Sequence, residues 1–332
     1  MATNDLLLKW VTPDETATEF LVRQFREAVS TGLPFVDKHI KLRPGHVLEI
    51  IGPAGTAKTE MLTEIAANIM TKAVAATAGG VGGAAASPEE QEHVVVMDCD
   101  GKFDSLRLLQ LVTGRLTPAA VATQSLQQLG IALERFHLFR CFSSLELLLA
   151  LNSLPGYLAT LQGRCRLLLV DNIAAHVWHD RAAAAAAVLS GSHLDASAAP
   201  PSTSGFQGIA AAAAAVAPGL SAQRVQAAVA ALLTELSQAL RFPVVVAKQA
   251  GVTLEERHEG SRLMQRELLS VPWQNAVTHR LLLMPVMPAG QALQWLTKGP
   301  ASTELMMQWQ AQGSTAPIER CAVTANATVG CQ

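Results

Sequence analysis

The sequence predicts an α/β fold: a mostly parallel sheet covered by helices on both faces. Three observations predict it. Short, near-continuous apolar runs alternate with segments of helical spacing, the pattern of strands buried on both sides. A glycine-bearing loop, Gly52 to Thr59, joins the first such run to a helix-like segment. A later run, Leu167 to Val170, delivers a carboxylate, Asp171, to its C-terminal end, which is where open α/β sheets bind ligands.

Composition sets the bounds. A chain of 332 residues, half of them hydrophobic and 16% charged, can build a large core, which excludes disorder of the whole. A net charge of −2 excludes a strongly basic, free-standing nucleic-acid binder, so any DNA contact has to be local or shared. Cys99, Cys141, Cys165, Cys321 and Cys331 show no framework spacing and read as free thiols in a reducing compartment. Asp5, Lys9, Asp14 and Glu15 interrupt the start before a signal-peptide apolar stretch. The uncharged stretch Ser197 to Gln223 is Ala-, Pro- and Ser-rich, so no membrane span is expected.

The elements follow in order. Val47 to Ile51 reads as a strand and Glu60 to Met70 as the helix after the loop. Val94 to Met97 is a strand ending at Asp98, with helices over Phe103 to Leu111 and Leu126 to Leu133. Phe136 to Phe142 is a strand, Leu145 to Leu161 a helix, and Leu167 to Val170 the strand before Asp171. Ala222 to Leu240 has helical spacing, and Pro243 to Ala247 is a strand ending near Gln249. Two segments, about 73–91 and 182–220, are low-complexity insertions rich in Ala, Gly, Ser and Pro, with little large apolar surface to offset their ordering entropy. Beyond Pro285 the alternation suggests edge strands.

The loop Gly52, Pro53, Ala54, Gly55, Thr56, Ala57, Lys58 and Thr59 sits between strand and helix, the context of a phosphate-binding P-loop. Backbone N–H groups of such a loop and the positive helix end cradle phosphate oxygens. Lys58 would reach the outer phosphates of ATP, and the Thr59 hydroxyl would face Mg²⁺. Asp171 would hold the metal's water shell; a plain turn-forming Asp at a strand end reads the same way. Ala57 stands where glycine is usual, and its Cβ penalises a positive φ and crowds the phosphates. An ordinary strand–turn–helix punctuated by Gly and Pro is the alternative.

Together these residues resemble the RecA-like recombinases of eukaryotes. The resemblance runs from Ser30-Thr31-Gly32 through the loop, Val96 to Leu108, Leu168 to Asn172, Trp178 to Arg181 and Val244 to Gln249, to Trp273 to Leu281. One paralogue of the family fits best in detail: Lys58 to Leu62, Phe103 to Leu108, the Trp-His-Asp-Arg after Asp171 and Trp273 to Arg280. The resemblance implies a RecA-like P-loop ATPase core over residues 30–332, preceded by a segment, 1–29, with a docking motif. Phe25 and Ala28 have the Phe-x-x-Ala form with which family members dock on a neighbour, though they also fit helical packing.

The resemblance implies ATP and Mg²⁺ as cofactors and a nuclear role in homologous recombination of DNA double-strand breaks. Its partners would be sister recombinase paralogues in a hetero-oligomer, the recombinase filament, and single-stranded or branched DNA. Where active members place a water-orienting Glu, this chain has Asp100, one methylene shorter; with Ala57 that implies weak or absent hydrolysis. Gln249 matches the family's γ-phosphate sensor, and also fits a polar strand end. The family's two DNA loops fall on 179–220 and 250–271, with Arg181, Arg257, Arg262 and Arg266 as candidates. Glu255, Glu256, Glu259 and Glu267 offset those arginines, so a solvated charged helix fits the second loop equally. Two other functions remain in view: a self-sufficient DNA-stimulated ATPase, and a metabolic P-loop phosphotransferase. His176, His179 and Asp180 mimic metal spacing, but no further ligand lies near in sequence.

Overall fold

Side-chain alternation along the apolar runs sorts residues between two cores, and that sorting builds the sheet. The computed structural model describes residues 15–78, 91–116, 122–189, 222–257, 260–286, 302–311, 314–324 and 329–331. After α1 (Ala17–Glu27) and the short α2 (Pro34–Asp37) come β1 (Val47–Gly52), α3 (Lys58–Ala78), β2 (Glu92–Asp98), α4 (Ser105–Leu116), α5 (Ala122–Glu134) and β3 (Phe136–Arg140). Then follow α6 (Ser144–Leu158), β4 (Arg164–Asp171), α7 (Val177–Leu189), α8 (Ala222–Ala239) and β5 (Val244–Gln249). The chain continues through β6 (Val252–Arg257), β7 (Gly260–Gln265), α9 (Val271–Ala276), β8 (His279–Pro285), β9 (Ser302–Ala311), β10 (Ser314–Thr315), β11 (Glu319–Thr324) and β12 (Val329–Cys331).

The main sheet has the order β12-β11-β9-β8-β1-β5-β4-β2-β3, with β10 beside β9. From β8 to β3 all pairs are parallel; from β9 outward they are antiparallel. Leu48, Ile50, Val94, Val96, Leu167, Leu169, Val245 and Ala247 face one core with residues of α3 and α4. Their neighbours Val47, Val95, Met97, Leu168, Val170, Val244 and Val246 face the other, with α6 and α8. The period of two in strands thus gives helices on both faces, as the apolar runs require. The antiparallel β9–β12 extend the sheet where the sequence suggests edge strands.

Three of the five cysteines, Cys99, Cys141 and Cys165, are buried free thiols as expected. Cys321 departs from that reading: it is disulfide-bonded. The register of β11 and β12 sets it opposite Cys331, a juxtaposition that linear spacing does not reveal. Among the described residues, no helix is long and apolar enough to cross a membrane. Most of both low-complexity insertions lies outside the described residues.

A buried ion pair lies beside the second core. Glu49, on β1, has no exposed surface. Its Oε1 pairs with Lys248 Nζ of β5 at 2.8 Å and accepts the indole N–H of Trp273 at 2.7 Å. Its Oε2 accepts Arg280 Nε of β8 at 3.0 Å. A buried carboxylate is tolerated only when its oxygens are so occupied. Lys248→Met therefore costs about 3–5 kcal/mol in a urea unfolding measurement, because it leaves Glu49 short of its closest cation. A Glu49→Gln/Lys248→Met double variant recovers part of that loss.

Candidate functional site

The sheet's C-terminal edge collects the residues that the sequence singled out. Gly52 ends β1, and no larger residue fits there. A Cβ would stand 2.5 Å from Thr56 Oγ1 and 3.1 Å from Leu283. The loop turns at Gly55 with φ 79°. Ala57 then takes φ 57°, the left-handed region that an alanine Cβ disfavours by about 1 kcal/mol or more. Its carbonyl opens α3 by accepting the N–H of Met61 at 2.9 Å. The conformation that glycine would adopt freely is thus retained by alanine at a cost.

Lys58 is buried and folds back over the loop, donating to the carbonyls of Gly52 (2.9 Å) and Pro53 (2.7 Å). Burial holds its ammonium down to about 8. The Thr59 hydroxyl donates to Asp171 Oδ2 at 2.8 Å, so the two metal-site candidates touch. Burial pushes Asp171 up to about 6, the Thr59 hydrogen bond only partly opposing it. A cation and an anion are therefore both biased towards their neutral forms, beside the N-terminus of α3.

Asp98, Asp100 and Asp171 present oxygens within 4.8 Å of one another, the one such acidic group among the described residues. Their roles differ. Asp98 is fully buried, and its carboxylate accepts backbone N–H groups of Asp100, Gly101, Lys102 and Phe103, which shapes the turn after β2. Asp100 is held through Oδ2 by Lys102 Nζ (2.6 Å) and Asn172 Nδ2 (2.9 Å). Its Oδ1 is buried and has no partner among the described residues. An orphaned buried oxygen beside Thr59 and Asp171 is what a hydrated cation or a phosphate-attacking water would satisfy.

Gln249 lies opposite Gly52 in the β1–β5 register and is exposed. Its N–H donates to Asn172 Oδ1 at 3.3 Å. Asn172, with φ 55° and 9% exposure, thus ties Asp100 to the end of β5. Sequence reasoning missed this residue. The signal available was an Asn directly after a strand-ending Asp, since Asn tolerates left-handed geometry.

The second DNA-loop candidate is an antiparallel hairpin, β6–β7, and not a charged helix. Its opposed residues, Glu255 with Arg262 and Leu254 with Leu263, keep strand period, which mixed charge had obscured. Arg262 is half-buried, Arg266 is exposed, and the side chain of Arg257 lies outside the described residues. Arg181 is exposed on α7, stacks over Trp178 at 5.1 Å and donates to the Leu268 carbonyl, linking the first loop region to the hairpin's root. His176 and Asp180 are engaged with the Cys141 carbonyl and Ser144, and among the described residues they do not gather with His179 into a ligand cluster. Ala28 is half-buried, its carbonyl accepting from Arg166, while the side chain of Phe25 lies outside the described residues.

Asp171 gives the site a stability signature. Its carboxyl is harder to ionise when folded than the ordinary 3.8, so folding favours the protonated form. That contribution is complete below pH 4 and is lost as pH rises through about 6. Asp171→Asn therefore gains on the order of 2 kcal/mol over the wild type at pH 7 in the ligand-free protein. Urea melts across pH 3.5 to 7.5 check this: the gain fades in acid.

The comparisons bear on this geometry. No family model matches the chain. It is 34% identical over 171 residues to the DNA repair protein XRCC2 of Mus musculus, covering 50% of this chain and 54% of that protein. The Arabidopsis thaliana XRCC2 homolog is 28% identical over 209 residues, 54% of this chain and 53% of the relative. The DNA repair protein RAD51 homolog 4 of Mus musculus is 29% identical over 155 residues, 45% and 40%. The chain spans about half the length of the XRCC2 relatives it matches. XRCC2 is also the paralogue whose motifs the sequence matches in detail. Among solved structures, the RadB recombinase superposes with a TM-score of 0.51 at 15% identity, over 91% of this chain and 98% of that one. The chain thus has the α/β fold of a RecA-like core and resembles, in sequence, the recombinase paralogues of the XRCC2 and RAD51-homolog kind.

Proposed function

We propose that this chain is an ATP-binding recombinase paralogue that acts in repair of DNA double-strand breaks by homologous recombination. The observation that carries the reading is the convergence of Lys58, Thr59, Asp171 and the unpartnered oxygen of Asp100 on one loop. The similarity to XRCC2 supports the biological setting.

Loop N–H groups of residues 52–59, Pro53 having none, and the Lys58 ammonium would bind the phosphates of ATP; Thr59 and Asp171 would hold Mg²⁺. The metal, when bound, neutralises phosphate charge. Lys58 would exchange the Gly52 and Pro53 carbonyls for phosphate oxygens, whose negative charge favours its ammonium form in a buried setting. Asp100, fixed by Asn172 and Lys102, orients water from a position one methylene further back than a glutamate. Turnover is accordingly weak, and the chain serves as a nucleotide-responsive subunit. Gln249 stands at the strand end where it senses the outer phosphate. Arg181, Arg257, Arg262 and Arg266 contribute to a DNA contact that is completed by sister paralogues, in the nucleus, next to the recombinase filament.

Residues 1–29 are the docking segment and 30–332 the core. Phe25 and Ala28 dock on a neighbour's core; Phe20, Leu21 and Val22 of α1 are exposed. A self-sufficient recombinase fits less well, because Ala57 and Asp100 both depress turnover and the hairpin's acids offset its arginines.

Titration with a fluorescent ATP analogue and Mg²⁺ tests the core of the reading. Wild type binds, Lys58→Ala loses binding by at least tenfold, and Ala57→Gly binds more tightly by severalfold while also gaining about 1 kcal/mol of stability. Equal affinity of wild type and Lys58→Ala would sink the nucleotide assignment. Co-expression with a sister paralogue checks the assembly: a complex that survives gel filtration is expected, and Phe25→Glu disrupts it.

A further inference from the structure

We infer that β9 clamps the β6–β7 hairpin and that Gln308 is the residue that positions it for a single-stranded nucleic acid. The inference rests on the proposed DNA-contacting role of that hairpin. A two-stranded ribbon is marginal in water, and its outer edge presents unpaired N–H and C=O groups. Leu263 pairs with Leu254 across the ribbon. Yet its own N–H donates to Gln308 Oε1 at 2.7 Å, and its carbonyl accepts from Gln310 Nε2 at 3.2 Å.

Residues 308 and 310 are two apart on β9, hence on one face of the sheet. Their carboxamides supply Leu263 with the acceptor and donor that the backbone of a neighbouring strand would have given. Gln308 is only 3% exposed, and its other end donates to the Ala316 carbonyl at 3.1 Å, so its orientation is fixed from both sides. The Leu263 side chain is fully buried with Ile51, Ala250 and Leu282, with Met284 and Met306 packed against them.

At the hairpin's root, Glu267 receives Lys248 through both oxygens, at 3.1 and 3.2 Å. The ribbon is therefore held at mid-strand by β9 and at its exit by β5. Arg262 precedes Leu263, and adjacent residues of a strand face opposite ways. Anchoring Leu263 inward sets the direction of Arg262. The clamp gives the C-terminal antiparallel strands a purpose in binding that the P-loop chemistry does not need.

Two measurements on the full chain test it, with Gln308→Met and Gln310→Met as variants of similar length without the hydrogen bonds. Hydrogen exchange in the ligand-free protein reads the clamp directly. Exchange at Leu263 and its hairpin neighbours should rise about tenfold or more in Gln308→Met, and less in Gln310→Met, which leaves a carbonyl and not an N–H unpaired. No rise, or an equal rise at every protected amide, overturns the clamp.

Anisotropy titrations with fluorescein-labelled oligo(dT) at several salt concentrations read the positioning. Gln308→Met should weaken binding about tenfold with the slope of log K against log salt unchanged, since the same phosphates are met. Arg262→Ala should instead reduce that slope by about one. A hairpin that loosens while both variants bind oligo(dT) like the wild type overturns the nucleic-acid role, leaving the clamp as architecture. Unchanged exchange with a reduced slope in Arg262→Ala keeps the DNA reading and discards Gln308.

Discussion

A carboxylate buried in the central strand of a parallel sheet governs much of this molecule. Glu49 has no solvent, so its charge must be matched by fixed groups, and the matching groups come from three other places in the chain. Lys248 belongs to β5, Arg280 to β8 and Trp273 to α9. The strands on either side of β1 are thereby bound to it by more than their backbone ladders. Three residues further on, β1 ends at Gly52 and the glycine-bearing loop begins. One residue beyond Lys248, β5 ends at Gln249. The two strand ends that frame the candidate site are held in fixed relation by a polar interaction in their common interior. Replacing such a network with well-packed apolar residues can preserve stability, but it would not hold Lys248 in reach of Glu267 at the hairpin's root.

The site itself is kept in unfavourable states. Lys58 is buried with only carbonyls and a hydroxyl as hydrogen-bond partners, and Asp171 is buried with a hydroxyl. Ala57 occupies a backbone conformation suited to glycine. None of these helps the ligand-free fold. Each is relieved, on the proposed function, by a phosphate or a cation, except the Ala57 strain, which no ligand removes. The strain at Ala57 and the desolvation of Lys58 and Asp171 gather around one loop, which on the proposed function marks where the fold gives up stability for binding.

Much of this was legible in the sequence. Apolar runs bounded by Gly, Pro and Asp located the five strands from Val47 to Gln249 to within a few residues, because parallel strands buried on both faces need uninterrupted apolar character. The loop and its helix were legible because their chemistry is local. The groups that hold the site were not. Glu49 sits inside a run that reads as apolar, and its three partners lie about 200 residues away in sequence. Asn172 and Gln308 act on residues brought close only by strand register. The hairpin was hidden because charge of both signs fits a solvated helix and a ribbon equally, and its decisive contacts are made by β9. The Cys321 disulfide was invisible for the same reason: the register of β11 and β12, not spacing, sets Cys321 opposite Cys331.

Asp100 shows how far local shortening can be offset by what surrounds it. A side chain one methylene short leaves its carboxylate back from the position a glutamate would reach, and catalytic roles fail at displacements near 1 Å. Here Lys102 and Asn172 both grip the same oxygen, Oδ2, and leave Oδ1 free. Two donors on one oxygen fix the group's orientation without restoring its reach. On the proposed function this favours holding nucleotide over consuming it. Asn172 also holds the N–H of Gln249. Whatever occupies the space beside Asp100 is thus felt at the end of β5, next to Lys248 and the root of the hairpin. On the proposed function, these fixed hydrogen bonds let a bound nucleotide be reported to the hairpin with no need for the bond-breaking step.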